Sequence, residues 1–188
     1  MAPIPFRVLE TERLILRELT PEDAPDYFAY LFGCPDVAKY MLWSPHKSPE
    51  ESRKSIEKAL ERRRDGTACR WAITRREDGQ LMGLIDLVRI DREQECCSFV
   101  YMLGIPFQGN GYGMEALRAV LAFAFTDLAL QTVRADHMAE NPASGRVMEK
   151  AGMVRTCFHP GKYIKDGTAH DAVEYSITRN RWLSVRKP

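Results

Sequence analysis

The sequence has no dominant charge, no long apolar run and no paired cysteines. Its 188 residues include 27 basic and 26 acidic side chains, a formal net charge of +1, so no overall field favours a nucleic acid or an anionic membrane as a partner. The longest apolar run, Ala119–Phe125, is far too short to span a bilayer. The five cysteines form no C-x-x-C pair, and an odd number argues against a disulfide framework. Because the N-terminus also lacks the basic and then apolar pattern of a secretory peptide, we expect a reduced, cytoplasmic chain.

Metal-ligand spacing is absent as well. The four histidines, His46, His137, His159 and His170, are scattered without H-x-x-x-H or Cys/His spacing, so we predict no metal site. The chain shows no internal repeat, low-complexity tract or long linker, and its composition of 45% hydrophobic and 28% charged residues is ordinary for a globular protein. We therefore expect residues 1–188 to form a single domain.

Helix and strand signals alternate along the chain in the order β-α-α-β-β-β-α-β-α-β-β. Three predicted helices begin with a capping residue followed by proline, and a fourth has helical apolar spacing. They start at Thr20-Pro21, at Ser48-Pro49 (ending near Arg64) and at Asn141-Pro142 (ending before Gly152), and the fourth covers Tyr112–Asp127. The predicted strands are Glu12–Leu19, a hairpin around Asp78-Gly79 within Cys69–Ile90, Cys96–Leu103, Thr132–Ala139 and a pair around Asp166-Gly167. This order predicts a mixed α/β fold with hairpins and one central β-α-β crossover.

Four glycines occur within ten residues, directly before the helix that begins at Tyr112. The stretch reads GIPFQGNGYG, Gly104–Gly113. Glycines let consecutive N–H groups turn inward beside a helix start, where the first amides are unpaired and the dipole is positive. Phosphate or pyrophosphate is the natural ligand of such a loop, and a glycine-rich turn without a ligand is the alternative. The Walker A and G-x-G-x-x-G nucleotide patterns do not match, because Asn110-Gly111 replaces Lys-Ser/Thr and the second pattern is one residue short.

The loop and three other segments resemble one enzyme family. Gln108-Gly109-Asn110-Gly111-Tyr112-Gly113, followed by MEAL, is similar to the R/Q-x-x-G-x-G/A acyl-CoA pyrophosphate loop of the GNAT superfamily of N-acetyltransferases. The segments ETERLILREL, ENPASGRVMEKAGM and DAVEYSITRNRW follow in the same order as in the branch that includes ribosomal-protein N-terminal acetyltransferases. The resemblance covers nearly the whole chain.

This resemblance implies a mixed, twisted, mostly antiparallel sheet whose central parallel strands splay apart, with flanking helices. It implies acetyl-CoA as cosubstrate, an amine acceptor as partner, no resident metal, and a monomer or homodimer. The cofactor-binding residues carried over by position are Tyr101, Met102 and Leu103 for the pantetheine arm, Gln108, Gly109, Asn110, Gly111, Tyr112 and Gly113 for the pyrophosphate, Asn141 for the pantetheine arm, and Ser144 near the thioester sulfur.

Acetyl transfer to an amine requires a neutral nucleophile, a donor for the oxyanion and a proton for the leaving sulfur. A backbone N–H near Met102 or Leu103 is the expected oxyanion donor. Ser144 is the candidate for hydrogen bonding or protonating the sulfur, and capping of the helix that follows Asn141 is its alternative role.

The general base is not fixed by the sequence, because Ser98 stands where the branch often has glutamate. His137 shares strand parity with Ala139 and Asn141 and is a candidate catalytic residue on the cofactor side, a packed core histidine being the alternative. Glu95 and Asp86 are further candidates. The chain is thus predicted to be an N-acetyltransferase that acts on a primary amine of a protein N-terminus or a small molecule. A catalytically degenerate CoA-binding sensor is the alternative function, and the acceptor itself cannot be deduced from the fold.

Overall fold

The computed structural model describes residues 3–185. Eight strands form one sheet in the order β1-β2-β3-β4-β5-β6-β8-β7. Their bounds are Leu9–Glu10 (β1), Leu14–Arg17 (β2), Ala68–Arg75 (β3), Leu81–Asp91 (β4), Cys96–Leu103 (β5), Thr132–Met138 (β6), Val154–Lys165 (β7) and Thr168–Thr178 (β8). All neighbours pair antiparallel except β5 and β6, which are parallel. The predicted mixed, mostly antiparallel sheet with one parallel pair is therefore confirmed.

Within residues 3–185, six α-helices connect and cover the strands. They are Ala24–Tyr27 (α1), Pro35–Ala38 (α2), Pro49–Arg64 (α3), Tyr112–Thr126 (α4), Pro142–Lys150 (α5) and Arg179–Val185 (α6). A 3₁₀ turn over Pro21–Asp23 leads into α1, which continues as a π-helical stretch over Phe28–Phe32. The capping predictions hold at α3 and α5, where Ser48 and Asn141 accept from the N–H groups of Glu51 and Ser144. The sequence analysis did not predict β1, α2 or α6.

The two faces of the sheet carry separate apolar clusters. Alternate residues such as Trp71, Phe99 and Ala135 pack with α4 on what we call the α4 face. Their neighbours on the strands, including Ala72, Leu84 and Met102, pack with α1 and α3 on the opposite side, the α3 face. None of the helices within residues 3–185 is long and apolar enough to cross a membrane.

The parallel strands separate in the middle of the sheet. Pairing joins Cys96–Ser98 to Thr132–Arg134 and goes no further within the described residues, although β5 continues to Leu103 and β6 to Met138. We call this gap the β5–β6 opening. It connects the two faces of the sheet, with α4 and α5 beginning on one side of it.

Candidate active site

The glycine loop runs from the end of β5 to the start of α4. Gly109 and Gly111 have φ angles of +80° and +81°, in the left-handed region that favours glycine. Gly113 is needed for a different reason, since a Cβ there would lie 3.0 Å from the ring of Tyr101. The loop is exposed, and it presents the unpaired first amides of a 15-residue helix. These features suit an anion at the helix N-terminus.

Gln108 and Asn110 use their side chains to hold the loop. The Gln108 amide donates from Nε2 to the carbonyl oxygen of Leu103 at 2.9 Å, and Asn110 donates from Nδ2 to the Gln108 carbonyl at 3.1 Å. The backbone amides of the loop, rather than these side chains, are therefore the groups left to bind a ligand.

A set of residues that the sequence analysis did not single out fixes the loop from outside. Glu115, in the first turn of α4, accepts from Thr11 Oγ1 at 2.6 Å, from the Arg13 backbone N–H at 2.9 Å and from Arg13 Nε at 2.7 Å. Arg13 also donates to the carbonyl of Asn110 at 3.0 Å and lies over the ring of Tyr112. We call Thr11, Arg13 and Glu115 the loop brace.

One edge of β5 is available along the opening. The Gly104 N–H donates to the Met82 carbonyl oxygen of β4 at 2.9 Å. Because the N–H and C=O groups of successive residues in a strand point to opposite sides, those of Met102 also point toward β4. Those of Tyr101 and Leu103 point toward the β5–β6 opening, and the Leu103 carbonyl there is taken by Gln108. The geometry thus favours Tyr101 and Leu103 over Met102 for strand-like pairing with a ligand.

Asn141 and Ser144 lie across the opening, at the start of α5. The Asn141 Oδ1 atom accepts from the Ser144 N–H at 3.4 Å, which caps the helix and leaves the Asn141 NH₂ group available. The Ser144 hydroxyl instead lies beside the Tyr101 hydroxyl: burial raises the pKa of Tyr101, and the hydrogen bond with Ser144 partly opposes that rise. The two hydroxyls therefore meet inside the opening.

A cavity of about 590 Å³ extends from this point through the sheet to the α3 face. Ser144 and Asn141 line its inner end, and Ser98 and Val100 lie beside the opening. Aromatic residues Tyr40 and Trp43, from the segment between α2 and α3, line its outer end. Trp43 also stacks on Phe32, with ring centroids 4.4 Å apart, so it both packs on the core and lines the cavity.

Three acidic side chains face this cavity, each with a partner. Asp86 forms a buried two-bond ion pair with Arg70, at 2.7 and 2.6 Å, and Arg70 donates to Tyr27 as well. Burial lowers the pKa of Arg70, but the charges and hydrogen bonds of Asp86 and Tyr27 together outweigh that effect and raise this pKa; burial raises the pKa of Tyr27 to about 12. Glu174 accepts from Thr156, and its second oxygen lies 3.3 Å from His159 Nε2.

Asp136 is the carboxylate that stands at the opening itself. It projects from β6 on the α3 face, since its neighbour Ala135 packs in the core of the α4 face. Lys162 Nζ and the Tyr163 hydroxyl, both from β7, donate to its two oxygens. Burial and the charge of Asp136 raise the pKa of Tyr163, so its hydroxyl stays protonated as a donor. Asp136 was not singled out from the sequence, because strand alternation predicts the face it lies on but not that this face receives an acceptor.

Of the remaining base candidates from the sequence, His137 also lines the cavity and Glu95 does not. His137 is buried on the α4 face, with Nδ1 2.7 Å from the Met138 carbonyl oxygen and Nε2 facing Gly145 of α5. Within residues 3–185 this Nε2 atom has no hydrogen-bond partner. Glu95 is exposed in the turn before β5, at the end of the strand away from the opening. In the described part of the chain, no three or more His, Cys, Asp or Glu side chains are grouped to hold a metal ion.

Comparisons with known proteins extend this description. The family model described as acetyltransferase (GNAT) domain matches residues 13–154. YoaA, an uncharacterized N-acetyltransferase of Bacillus subtilis, is 28% identical over 176 residues, covering 94% of this chain and 99% of the relative. The ribosomal protein uS5-alanine N-acetyltransferase of Escherichia coli is 23% identical, covering 97% of this chain and 96% of its own. Among solved structures, spermidine N-acetyltransferase from Vibrio cholerae in complex with CoA and spermine has a TM-score of 0.81 at 21% identity, covering 92% of this chain and 99% of that one.

Proposed function

Because the chain belongs to the GNAT acetyltransferase family, we propose that it transfers the acetyl group of acetyl-CoA to a primary amine. The family and its ribosomal-protein branch, both predicted from the sequence, are confirmed by the domain match and by the relative that acts on uS5. The β5–β6 opening is the observation that carries the proposal, since it offers a free strand edge and an anion loop on one face and a polar pocket on the other. The names of two relatives, for a ribosomal-protein alanine and for spermidine, support an amine as acceptor.

The residues present fit acetyl-CoA. The backbone groups of Tyr101 on the open edge suit the amide groups of the pantetheine arm, and the free NH₂ group of Asn141 faces the same space from α5. The left-handed glycines Gly109 and Gly111 and the first amides of α4 suit the pyrophosphate. When bound, acetyl-CoA supplies a thioester, an acyl group already activated for transfer.

The oxyanion that forms during acyl transfer requires a fixed donor. Backbone N–H groups on the open edge of β5 serve this role without reorganisation, because the strand is held by β4 on its other side. Of the two amides that the sequence analysis named, that of Leu103 points into the opening and that of Met102 toward β4. We assign the role to the open-edge amides, those of Tyr101 and Leu103.

Asp136 is our choice for the base. An alkyl ammonium has a pKa of about 10.4 in water and must lose a proton before it attacks. Asp136 faces the opening from the α3 face, where an acceptor enters without crossing the cosubstrate, and its bonds to Lys162 and Tyr163 fix its orientation. His137, on the opposite face, is the alternative base that the sequence singled out.

Ser144 is our choice for the group that donates to the leaving sulfur. Its hydroxyl lies inside the opening and does not cap α5, because Asn141 does so. Tyr101 positions the Ser144 hydroxyl through their mutual contact.

A CoA-binding sensor without catalysis is the second candidate. Two features favour it: Ser98 occupies the position where the branch often has glutamate, and both oxygens of Asp136 already have partners. A sensor would bind CoA and leave every amine unmodified.

One experiment separates the two functions. Thermal unfolding with acetyl-CoA, CoA, ATP and NAD measures binding, and free-thiol release with a panel of amines measures turnover. A ligand at about 100 times its dissociation constant adds about 2.7 kcal/mol of stability. We expect acetyl-CoA and CoA to raise the unfolding temperature, and we expect thiol release that depends on the amine. A CoA shift without thiol release for any amine would support the sensor, and no CoA shift would refute both functions.

A further inference from the structure

The charges that line the cavity do not balance. Five cationic side chains face it, and only three carboxylates do: Arg62, Arg70, Arg89, Arg134 and Lys162 against Asp86, Asp136 and Glu174. Arg70 and Lys162 are paired with Asp86 and Asp136. Arg62 lies in the last turn of α3, where the helix dipole favours a cation. Arg89 and Arg134 remain, and neither guanidinium group forms an ion pair or hydrogen bond within residues 3–185.

These two arginines flank the point where the sheet opens. Arg134 is the β6 partner of Ser98, the last residue of β5 that pairs with β6. Arg89 follows Val88, the partner of Ser98 on β4, at a bulge where its φ is +52°. A left-handed backbone conformation is uncommon for arginine. A β-bulge changes the direction in which the bulged residue, here Arg89, points its side chain. The positive charge of Arg89 also opposes the rise in the pKa of Tyr163, which places this arginine within electrostatic reach of the Asp136 cluster.

We propose that the acceptor is a small amine that also carries a carboxylate or phosphate group, which Arg89 and Arg134 bind while the amine faces Asp136. This inference rests on the proposed acetyltransferase function. Both arginine side chains are exposed and line the cavity, so an anion that enters from solvent is attracted to two positive charges. Arginine suits this role because its planar group donates two parallel hydrogen bonds to a carboxylate or phosphate.

The spacing along β6 suits a small molecule. Arg134 and Asp136 are two residues apart on the same face, which corresponds to about 7 Å along a strand. Asp136 thus receives the cationic end of the acceptor, and Arg134 receives its anionic end. A polyamine has no anionic group, so it would leave both guanidinium groups without a partner and add like charge beside them.

The test compares amine acceptors that carry an anionic group with acceptors that carry none. Initial rates of thiol release at saturating acetyl-CoA are measured for amino acids, for the same amino acids as neutral amides, for aminoalkyl phosphates and for spermidine. We expect kcat/KM to be at least about 10-fold higher for an anionic acceptor than for its neutral counterpart, because a hydrogen bond to a charged group is stronger than one between neutral groups. The better of the carboxylate and phosphate series identifies the anion.

Single variants assign the effect to the two arginines. Arg89→Gln and Arg134→Gln should each raise KM for the anionic acceptor about 10-fold or more, leave KM for acetyl-CoA unchanged and reduce the preference over the neutral amide. Arg92→Gln, in the exposed turn after β4 and outside the cavity, is the matched control and should behave as wild type. A thermal shift with CoA shows that each variant is folded.

The outcomes separate this inference from the function on which it rests. Turnover of spermidine or neutral amides at rates equal to the acids, with no effect of either variant, would overturn the inference and leave the acetyltransferase intact. If no amine is turned over, the unfolding temperature measured with CoA and each anionic amine decides between the outcomes. An increase in unfolding temperature that both variants lose supports the anion site in a sensor. No increase refutes the site together with the catalytic function.

Discussion

Two hydroxyl groups meet across the β5–β6 opening, one from each side. Tyr101 reaches in from β5, and Ser144 from the first turn of α5. A leaving thiolate in this space would find the Ser144 hydroxyl as a donor, with the Tyr101 hydroxyl behind it to orient it. Asn141 already satisfies the helix start, so the position of the Ser144 hydroxyl is explained by the opening and not by capping.

Ser144→Ala should lower kcat by about 100-fold, the scale of a lost general acid, while the thermal shift with CoA is retained. Tyr101→Phe should lower kcat by less, because Tyr101 acts through the Ser144 hydroxyl. Initial rates of thiol release at saturating substrates measure both. Ser184→Ala, whose hydroxyl bonds only within α6, is the control. A Ser144→Ala enzyme within twofold of wild type would rule out the acid role.

Asp136→Asn should lower kcat/KM for the amine by about 100-fold, and alkaline pH should partly restore it. Without a base the enzyme depends on amine that is already deprotonated in solution, so the variant should gain activity toward the amine pKa of about 10.4 more steeply than wild type. His137→Gln is the comparison, because it replaces the alternative base on the other face. If His137→Gln shows the alkaline rescue and Asp136→Asn does not, the two assignments are exchanged.

Neighbouring residues on β6 show what the sequence could and could not predict at this scale. Strand alternation was evident, and it predicted that His137 faces the cofactor side; the ring lies on the α4 face beside Gly145. It could not show which face an acceptor enters, because both faces of β6 carry apolar residues such as Ala135 and Met138. Asp136 was missed for that reason, and its partners Lys162 and Tyr163 are 26 and 27 residues away along the chain.

At the scale of elements, the loop brace ties the turn between β1 and β2 to the start of α4. Glu115 receives three hydrogen bonds from Thr11 and Arg13, and Arg13 also holds the carbonyl of Asn110. A carboxylate in the first turn of α4 would repel a pyrophosphate, and the Arg13 guanidinium offsets that charge. The brace therefore both positions the loop and keeps its field positive.

Arg13→Gln should raise KM for acetyl-CoA by about 10-fold with little change in kcat at saturation, since it removes charge-assisted hydrogen bonds from the loop and not from the reacting atoms. Steady-state rates over a range of acetyl-CoA concentrations measure the split. Arg7→Gln removes an exposed ion pair with Asp127 at the other end of α4 and is the matched control. An equal rise in the amine KM would show a general structural loss instead.

The brace also predicts a pH dependence of stability. Burial opposes the change, but hydrogen bonds from Thr11 and Arg13 outweigh it and lower the pKa of Glu115. A depressed folded-state pKa gives stability that is fully present above the unfolded value of about 4.3 and is lost as pH falls through the folded value. Thermal unfolding between about pH 6 and pH 3 should therefore fall less steeply for Glu115→Gln than for wild type. Glu93→Gln, in an exposed turn, should leave the slope unchanged.

Element boundaries were predictable where a local signal existed. Ser48 and Asn141 cap the helices predicted after them, Gly152 ends α5 with a φ of +90°, and the hairpin turns at Asp78-Gly79 and Asp166-Gly167 lie between their strands. Helix α6 was missed although Thr178 accepts from the Arg181 N–H as a cap would, because a seven-residue helix has little periodicity to detect. The loop brace carries no local signal, since Arg13 and Glu115 meet only when β2 packs beside α4.

At the scale of the whole molecule, the glycine loop and α5 could be predicted from the sequence, and the full lining of the cavity could not. The glycine loop and α5 lie within 50 residues of one another and carry recognisable motifs. The cavity proposed for the acceptor is lined by residues from many segments between Phe32 and Glu174, so no single stretch of sequence predicts it. Its outer wall is the segment after α2, which has little regular structure of its own and depends on a distant residue for support.

Lys165 provides that support. From the end of β7 its ammonium donates to the carbonyl oxygens of Ala38 at 2.5 Å, Lys39 at 3.0 Å and Met41 at 2.9 Å, which uses all three of its N–H donors. The contacts fix the backbone on both sides of Tyr40, a residue that lines the cavity. We therefore expect Lys165 to position this wall of the cavity proposed for the acceptor.

Lys165→Met keeps the length of the side chain and removes the ammonium, so the segment around Tyr40 loses its anchor. We expect KM for the amine to rise about 10-fold, because hydrogen bonds to a charged group contribute about 1.5–3 kcal/mol, while KM for acetyl-CoA stays within twofold. Lys58→Met, on the exposed side of α3, is the control. Steady-state rates with each substrate varied in turn provide the comparison. Because the glycine loop and the acceptor wall lie on opposite faces of the sheet, a parallel rise in both KM values would mean that Lys165 stabilises the fold as a whole and not the wall.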